Sequence, residues 1–198
     1  MSDLYHTIEA PSEAVFTEKR SKFLVFAYPV KTAGEAKEIV AALAKKYYDA
    51  RHVCWAYMLG ADRTEFRAND NGEPSGTAGK PILGQSNSLE LTDVLIAVVR
   101  YFGGIKLGTP GLTAAYRQAA RDALDAAVIV DRHVTADLRF TYPYAVINDV
   151  MRVSRAEGVQ VIDSVFDNAC SMHLRVELDR LPAVRARLDD IDGLTFDE

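Results

Sequence analysis

The sequence predicts a two-domain protein in which an α/β domain, residues 1–130, precedes a smaller α+β domain, residues 131–198. Two observations carry this prediction. A continuous apolar run, Val94 to Val99, is typical of a strand covered on both faces, and it lies between two glycine-rich segments. We name these the first glycine loop (Asp70–Lys80) and the second glycine loop (Gly103–Thr109). Beyond the domain boundary such loops are absent, and short alternating strands follow.

The first domain is predicted to begin with a hairpin, a helix and a second hairpin. Apolar residues cluster over 13–30 on both sides of a charged turn, which favours two antiparallel strands. Thr32 is a suitable N-cap for a helix whose apolar residues recur every three or four positions as far as Tyr47. Alternation over 53–68 predicts the second hairpin.

Two further helices are expected around the apolar strand. A short helix over 78–88 precedes it. A longer helix follows the second glycine loop and runs to about Asp125. Thr109 is predicted as its N-cap and Pro110 as its first residue, where a proline sacrifices no hydrogen bond. The buried stripe of this helix is expected to comprise Leu112, Ala115, Tyr116, Ala119, Ala123 and Leu124.

The second domain is predicted to follow the order β-α-β-β-α-β. Alternation of apolar and polar residues over 134–142 and 172–178 predicts two strands, and a third, 159–166, is expected to pair with the second of these. Helices are expected from about Pro143 and from Pro182, and a short strand follows the second of them. This order is that of the ferredoxin-like split βαβ unit.

Composition narrows the classes of function. The chain has 198 residues, 48% of them hydrophobic and 26% charged, with a formal net charge of -5, which argues against indiscriminate binding of nucleic acid. Residues 1–10 lack a basic start followed by an apolar run, and no stretch is long enough to cross a bilayer, so we expect a cytoplasmic protein without membrane contact. Cys54 and Cys170 are expected in the core. No metal or cofactor site is predicted, because no recognised ligand spacing occurs.

Both glycine loops are predicted to bind an anion. The first offers backbone N–H groups, hydroxyls and an ammonium, but Pro81 after Lys80 excludes a Walker A loop. The second ends at a helix N-terminus, where free N–H groups favour negative charge. Alternatively, the glycines serve only tight turns and close packing, and Glu73 caps a helix. The candidate anion-binding residues are Arg51, Ser75, Gly76, Thr77, Lys80, Arg100, Gly103, Gly104, Lys106, Thr109 and Arg117.

Three residues are candidates for acid/base chemistry. His52, Asp70 and Glu73 have suitable side chains, although a satisfied structural role is the competing interpretation for the histidine. Four aromatic residues can stack on nucleic acid bases, but their positions at strands favour a place in the core. They are Trp55, Tyr57, Tyr101 and Phe102.

Three linked motifs resemble, in order and spacing, the signature of the IMPACT family and its bacterial YigZ-like branch. They are Arg51-His-Val-Cys-Trp-Ala-Tyr57, Gly72-Glu-Pro-Ser-Gly-Thr-Ala-Gly-Lys-Pro81 and Val98-Val-Arg-Tyr-Phe-Gly-Gly-Ile-Lys-Leu-Gly108. The resemblance implies an N-terminal domain like those of ribosomal proteins and domain IV of elongation factor G. It also implies a C-terminal domain similar to the ferredoxin-like domain V of that factor.

The resemblance also bears on function. The kinship with ribosomal proteins and elongation factor G implies contact with RNA or the translation apparatus, and the eukaryotic relatives regulate translation initiation by binding the activator of an initiation-factor kinase. Three residues depart from the family pattern: Asn71 replaces a usual aspartate, Pro110 a usual glycine and Ala114 a usual basic residue. These departures weaken a metal or acid/base role in the first glycine loop and make the second stiffer and less positive.

Three functional hypotheses follow. The first is a non-enzymatic, translation-associated regulatory protein that binds RNA, the ribosome or a translation-factor partner through the two loops. The second is an enzyme that acts on a phosphorylated small molecule or nucleotide, with acid/base chemistry from His52, Asp70 or Glu73. The third is a protein-interaction module for a translation regulator, which would not need the loop lysines.

Overall fold

The chain forms a mixed α/β structure of two compact units. The computed structural model describes residues 3–167 and 169–197. One unit is Tyr5–Arg132, and the other contains the described residues from His133 onward together with residues 3 and 4. Each unit encloses hydrophobic residues of its own.

The first unit is built on a five-stranded sheet. Its strand order is β2-β3-β6-β4-β5, and every neighbouring pair is antiparallel. The elements up to residue 133 are β1 (Leu4–Ile8), β2 (Ser12–Glu18), β3 (Ser21–Pro29), α1 (Ala33–Lys46), β4 (His52–Leu59), β5 (Glu65–Asn69), α2 (Gly79–Ser88), β6 (Val94–Tyr101), α3 (Gly108–Asp125) and β7 (Ile129–His133).

Helices cover both faces of this sheet, so the central strand β6 is buried on both sides as its apolar run predicts. α1 packs on one face against residues such as Trp55 and Leu95. α2 and α3 pack on the other, where the stripe of α3 residues predicted from periodicity is buried. The predicted N-cap of α1 is confirmed, since the Thr32 hydroxyl accepts a hydrogen bond from the Glu35 N–H at 3.1 Å.

The segment at the predicted domain boundary is a strand, which the sequence pattern did not indicate. β7 pairs with β1 in a separate two-stranded sheet. His6 Nδ1 lies 2.6 Å from Asp131 Oδ1 across this pair. Both strands are only five residues long; β7 is largely exposed, and the two buried residues of β1 are adjacent, so neither shows the apolar alternation by which strands are recognised in a sequence.

The second unit has the predicted element order. Its sheet has the order β11-β8-β10-β9, with antiparallel neighbours, and its core includes Phe140, Leu174 and Leu188. The elements are β8 (Thr135–Tyr142), α4 (Ile147–Ser154), β9 (Val159–Val165), β10 (Cys170–Glu177), α5 (Leu181–Asp189) and β11 (Thr195–Phe196).

The described helices include none with the length and hydropathy that a bilayer crossing would require.

Candidate functional site

A cavity of about 350 Å³ opens in the first unit where β4 begins and β6 ends. The antiparallel register explains why these residues meet, because His52 at the start of β4 lies opposite Arg100 near the end of β6. β6 leads directly into the second glycine loop and α3, and the first glycine loop contributes Glu73. We name this space the β4–β6 cavity.

An ion pair forms part of the cavity lining. Arg100 Nη1 donates to Glu73 Oε1 at 2.5 Å, and the hydroxyl of Tyr116 donates to the same oxygen at 2.8 Å. Burial is the main cause that raises the pKa of the Tyr116 hydroxyl well above its ordinary value, and the neighbouring Cys54 and Glu73 raise this pKa further. The hydroxyl therefore stays protonated and acts as a donor. Glu73 is therefore a buried member of an ion pair, and the alternative that it caps a helix is wrong.

The orientation of His52 is set by the first glycine loop. Its Nδ1 lies 2.8 Å from the carbonyl oxygen of Asn71, so the Nδ1–H donates there. Its Nε2 lies 3.9 Å from Glu73 Oε1, and the residue lines the cavity. Asn71 also accepts from the Val53 N–H through its side chain at 2.9 Å, which holds the loop against β4. One nitrogen of His52 thus has a structural role and the other remains available.

Asp70 occupies the backbone donors that the sequence assigned to an external anion. Its carboxylate accepts hydrogen bonds from the N–H groups of Gly76, Ala78 and Gly79 at 2.8–3.0 Å. Burial raises the pKa of Asp70, but these hydrogen bonds outweigh burial and hold the pKa below its ordinary value. The prediction that the first glycine loop cradles an anion with its own N–H groups is therefore wrong for these three. The hydroxyl of Thr77 likewise donates within the loop, to the Pro74 carbonyl at 2.6 Å.

The second glycine loop combines a packing role with an open helix end. A Cβ at Gly103 would lie 2.0 Å from the Arg20 carbonyl, so this glycine is required by close approach of the β2–β3 turn. Gly104 has a φ of 87° and no neighbouring atom within 4 Å of such a Cβ. α3 begins at Gly108 with Leu107 as its N-cap, and no side chain in the described part of the chain caps it, so the prediction that Thr109 is the N-cap is wrong. The first-turn N–H groups therefore have no capping side chain among the described residues, and Gly108 and Thr109 of this turn line the cavity.

The predicted cations divide between two places. Arg51 and Lys106 are exposed at the β4–β6 cavity, and no ion pair involving either occurs within residues 3–167 and 169–197. Lys80 and Arg117 line a separate depression of about 370 Å³, together with Gly76. Ser75 is exposed and lines neither space. The structure thus brings four predicted residues together at the β4–β6 cavity: Arg51, Arg100, Lys106 and Thr109. Lys80 and Arg117 lie together at the separate depression.

The apolar part of the lining was not foreseen. Phe102, Pro74, Leu107 and Leu112 line the cavity beside the charged residues. Trp55 and Tyr57 are buried in the core as predicted, but Phe102 is 43% exposed, and the expectation of a core position for it is wrong. Phe102 follows the last residue of β6 and so escapes the burial of that strand. This position directly after the strand was the available signal.

Groups of three or more His, Cys, Asp or Glu side chains suited to a metal ion are absent from the part of the chain that the structure describes.

Fold and site together define a two-domain α/β protein in which residues of both glycine loops line a cavity with Arg51 and Lys106 at its rim. Residues 19–124, which contain both loops, match the Impact N-terminal domain. The chain therefore belongs to the IMPACT family, and the resemblance seen in its motifs is confirmed.

Named relatives agree with this placement, and a solved structure is similar in fold. IMPACT family member YvyE of Bacillus subtilis is 37% identical over 139 residues, covering 67% of this chain and 64% of the relative. IMPACT family member YigZ of Escherichia coli is 39% identical over 117 residues, covering 58% and 57% respectively. The matches thus span less than two thirds of these two relatives. The crystal structure of a hypothetical protein aligns at 26% identity with a TM-score of 0.76, covering 99% of this chain and 97% of that one.

Proposed function

We propose that this protein is a translation-associated regulatory protein that binds RNA, the ribosome or a translation-factor partner through the β4–β6 cavity and its rim. One observation carries the proposal: Arg51, Lys106 and the uncapped N-terminus of α3 converge on one cavity. Free N–H groups and the positive end of a helix dipole favour anions, and two cations that form no ion pair with any described residue add to this preference. Membership of the IMPACT family supports a role in translation.

The finer fold assignments belong to the same proposal. The strand order β11-β8-β10-β9 in the second unit supports a ferredoxin-like domain of the type found in elongation factor G. A ribosomal-protein-like first domain rests on the family resemblance. Both assignments, with folding domains at 1–130 and 131–198, fit a cytoplasmic protein that contacts the translation apparatus.

The cavity provides local positive charge on a chain whose net charge is -5. Such a protein is expected to reject general contact with nucleic acid and to bind phosphates at one place only. Binding to RNA or ribosomes should therefore be weak, strongly dependent on salt and sensitive to substitution of Arg51 and Lys106.

A charge-matched pair of variants tests the proposal. Arg51→Gln/Lys106→Gln removes two cations from the cavity, and Lys80→Gln/Arg117→Gln removes two from the separate depression. Binding to single-stranded RNA and to ribosomes is measured from low to physiological salt. We expect the first variant to weaken binding about tenfold or more and to reduce the salt slope by about 0.7 per lost phosphate contact. The second should have a smaller effect. Absence of binding at low salt, or an equal loss in both variants, rejects the proposal.

A second candidate function is catalysis on a phosphorylated small molecule, which the orientation of His52 favours. Its Nδ1–H is committed to the Asn71 carbonyl, so a neutral ring presents Nε2 as a base at the cavity. Asp70 is committed to backbone N–H groups and Glu73 to Arg100, so His52 is the remaining acid/base candidate of the three. Turnover of nucleotides and phosphate esters that is lost in His52→Gln supports this function. Ligand binding without turnover excludes it for the compounds tested.

A further inference from the structure

We infer that the β4–β6 cavity receives a single nucleotide unit, with its base against the apolar wall and its phosphate at the cationic rim. The inference deepens the proposed function, on which it rests, by naming the chemical class of ligand. A cavity that bound phosphate alone would need only the rim. The apolar wall and the acceptors beside it indicate a second part of the ligand.

The wall suits the face of a heteroaromatic ring. Phe102 is 43% exposed, and Pro74, Leu107 and Leu112 line the same cavity. The Arg100 guanidinium lies 5.8 Å from the centre of the Phe102 ring, which leaves other ring surface open to solvent. Exposed aromatic rings in cationic surroundings are the usual stacking platforms for unpaired bases.

The buried lining supplies hydrogen-bond acceptors. The Glu73 side chain is only 4% exposed, and its Oε1 receives both Arg100 and Tyr116. Its Oε2 makes no hydrogen bond with any residue that the structure describes. His52 Nε2 is also without a hydrogen bond in the described residues, its contact with Glu73 being 3.9 Å. Glu73 Oε2 is not among the fully buried atoms that lack a partner, and Glu73 lines the cavity, so this oxygen is accessible to a ligand or to water.

These acceptors favour a base that carries an amino group. An amino group has two N–H donors and can satisfy the Glu73 oxygen and a neutral His52 ring. Uracil has a single ring N–H between two carbonyl oxygens, which would face the carboxylate unfavourably. The structure therefore assigns adenine, cytosine or guanine to the cavity in preference to uracil.

The cationic rim of the cavity is the expected binding site for the phosphate of the nucleotide. Arg51, Lys106 and the first turn of α3 lie at the same cavity as the wall and the acceptors. A cavity of about 350 Å³ lies at the small end of the range for ligand sites, which suits one nucleotide and not a folded RNA. The nucleotide can be free or part of a single strand, whereas a base inside a duplex is stacked and paired and cannot reach the wall.

The test compares defined probes with the full chain by calorimetry or fluorescence anisotropy. They are inorganic phosphate, adenosine 5′-monophosphate, uridine 5′-monophosphate, a short adenine-rich single strand of RNA and the same strand in a duplex. We expect the adenosine nucleotide to bind at least fivefold more tightly than either phosphate or the uridine nucleotide. The single strand should bind more tightly than the duplex. A free nucleotide that binds while the single strand does not identifies a small molecule as the source of the ligand.

Phe102→Ala and Phe66→Ala separate stacking from general loss of apolar surface. Both side chains are exposed, by 43% and 58%, and Phe66 lies on β5 outside the lining of this cavity. Loss of one stacked base corresponds to roughly a fivefold or greater loss of affinity, so Phe102→Ala should weaken nucleotide binding by that factor. Phe102→Trp should retain binding, and Phe66→Ala should leave it unchanged.

The outcomes distinguish this inference from the proposed function. Phosphate and RNA binding that depends on Lys106 but not on Phe102, with no preference for nucleotide over phosphate, overturns the nucleotide assignment and leaves the anion site. Equal affinity for the two nucleotides overturns the role of Glu73 and His52 at the base edge. Absence of binding for every probe overturns both proposals.

Discussion

Arg100 and Glu73 form an ion pair of 2.5 Å whose side chains are only 7% and 4% exposed. Arg100 belongs to β6, the central strand of the sheet, and Glu73 to the first glycine loop. The pair therefore fixes an otherwise polar loop to the rigid part of the first unit. Tyr116 of α3 donates to the same Glu73 oxygen, so strand, loop and helix meet at one atom.

We predict that Glu73→Ala lowers the free energy of unfolding by about 3–5 kcal/mol. Removal of the carboxylate leaves the Arg100 guanidinium buried without its counter-charge, and such losses cost about this much. The measurement is urea denaturation at neutral pH.

The matched control is the exposed pair of Arg121 and Asp125, 2.7 Å apart on α3. Asp125→Ala should cost no more than about 1 kcal/mol, because solvent screens that pair. An equal effect of the two substitutions would contradict the structural role of Glu73.

We predict that Asp70→Asn destabilises the protein by about 1 kcal/mol at pH 7, as loss of a helix cap does. Asp70 accepts the N–H groups of Gly76, Ala78 and Gly79, and these bonds favour its charged form. Because the folded-state pKa is lowered, the stabilisation is complete above the ordinary aspartate pKa, about 3.9, and is lost as the pH falls below it through the folded-state value. Urea denaturation from pH 7 to pH 3 measures this. A wild-type advantage that grows on acidification would refute the prediction.

The sequence was sufficient to predict elements whose burial leaves a simple apolar pattern. Val94–Val99 was recognisable because burial on both faces makes a strand continuously apolar, and the stripe of α3 because burial of one helix face imposes a period on apolar residues. The Thr32 cap was recognisable because it depends only on residues close in the chain. β1 and β7 were missed because both are only five residues long and neither alternates buried with exposed residues.

The site was predictable in residue types but not in arrangement. Asp70 accepts hydrogen bonds from three N–H groups of its own loop at 2.8–3.0 Å. The folded loop creates these distances, and no sequence pattern encodes them. Lys80 and Lys106 carry equal charge in similar loops, yet they line different depressions. Phe102 was assigned to the core because a strand position was assumed for it, whereas it lies one residue beyond the strand.

We predict that the Cys54 thiol in the native protein reacts with an aromatic disulfide reagent only as fast as the protein unfolds. Burial raises the pKa of Cys54 to about 12, so almost no thiolate is present at pH 8. The thiol also donates to the Asp70 carbonyl at 3.0 Å. The measurement is labelling of a Cys170→Ala variant with and without urea, at equal reagent concentration. Rapid labelling without urea would show that the thiol is accessible.

We predict that Gly103→Ala destabilises the protein by about 1–3 kcal/mol or more, whereas Gly84→Ala stabilises it by about 0.5–1 kcal/mol. A Cβ at Gly103 would meet the carbonyl group of Arg20 at 2.0 Å, and because this contact is backbone, no side-chain rotation relieves it. A Cβ at Gly84, inside α2, meets no atom within 4 Å, so alanine there brings its helix propensity without a clash. Urea denaturation compares the two variants.

The second glycine loop must move if Gly103→Ala folds, so phosphate affinity should fall in that variant and not in Gly84→Ala. Unchanged stability in Gly103→Ala would mean that the loop lies farther from the β2–β3 turn than the structure places it.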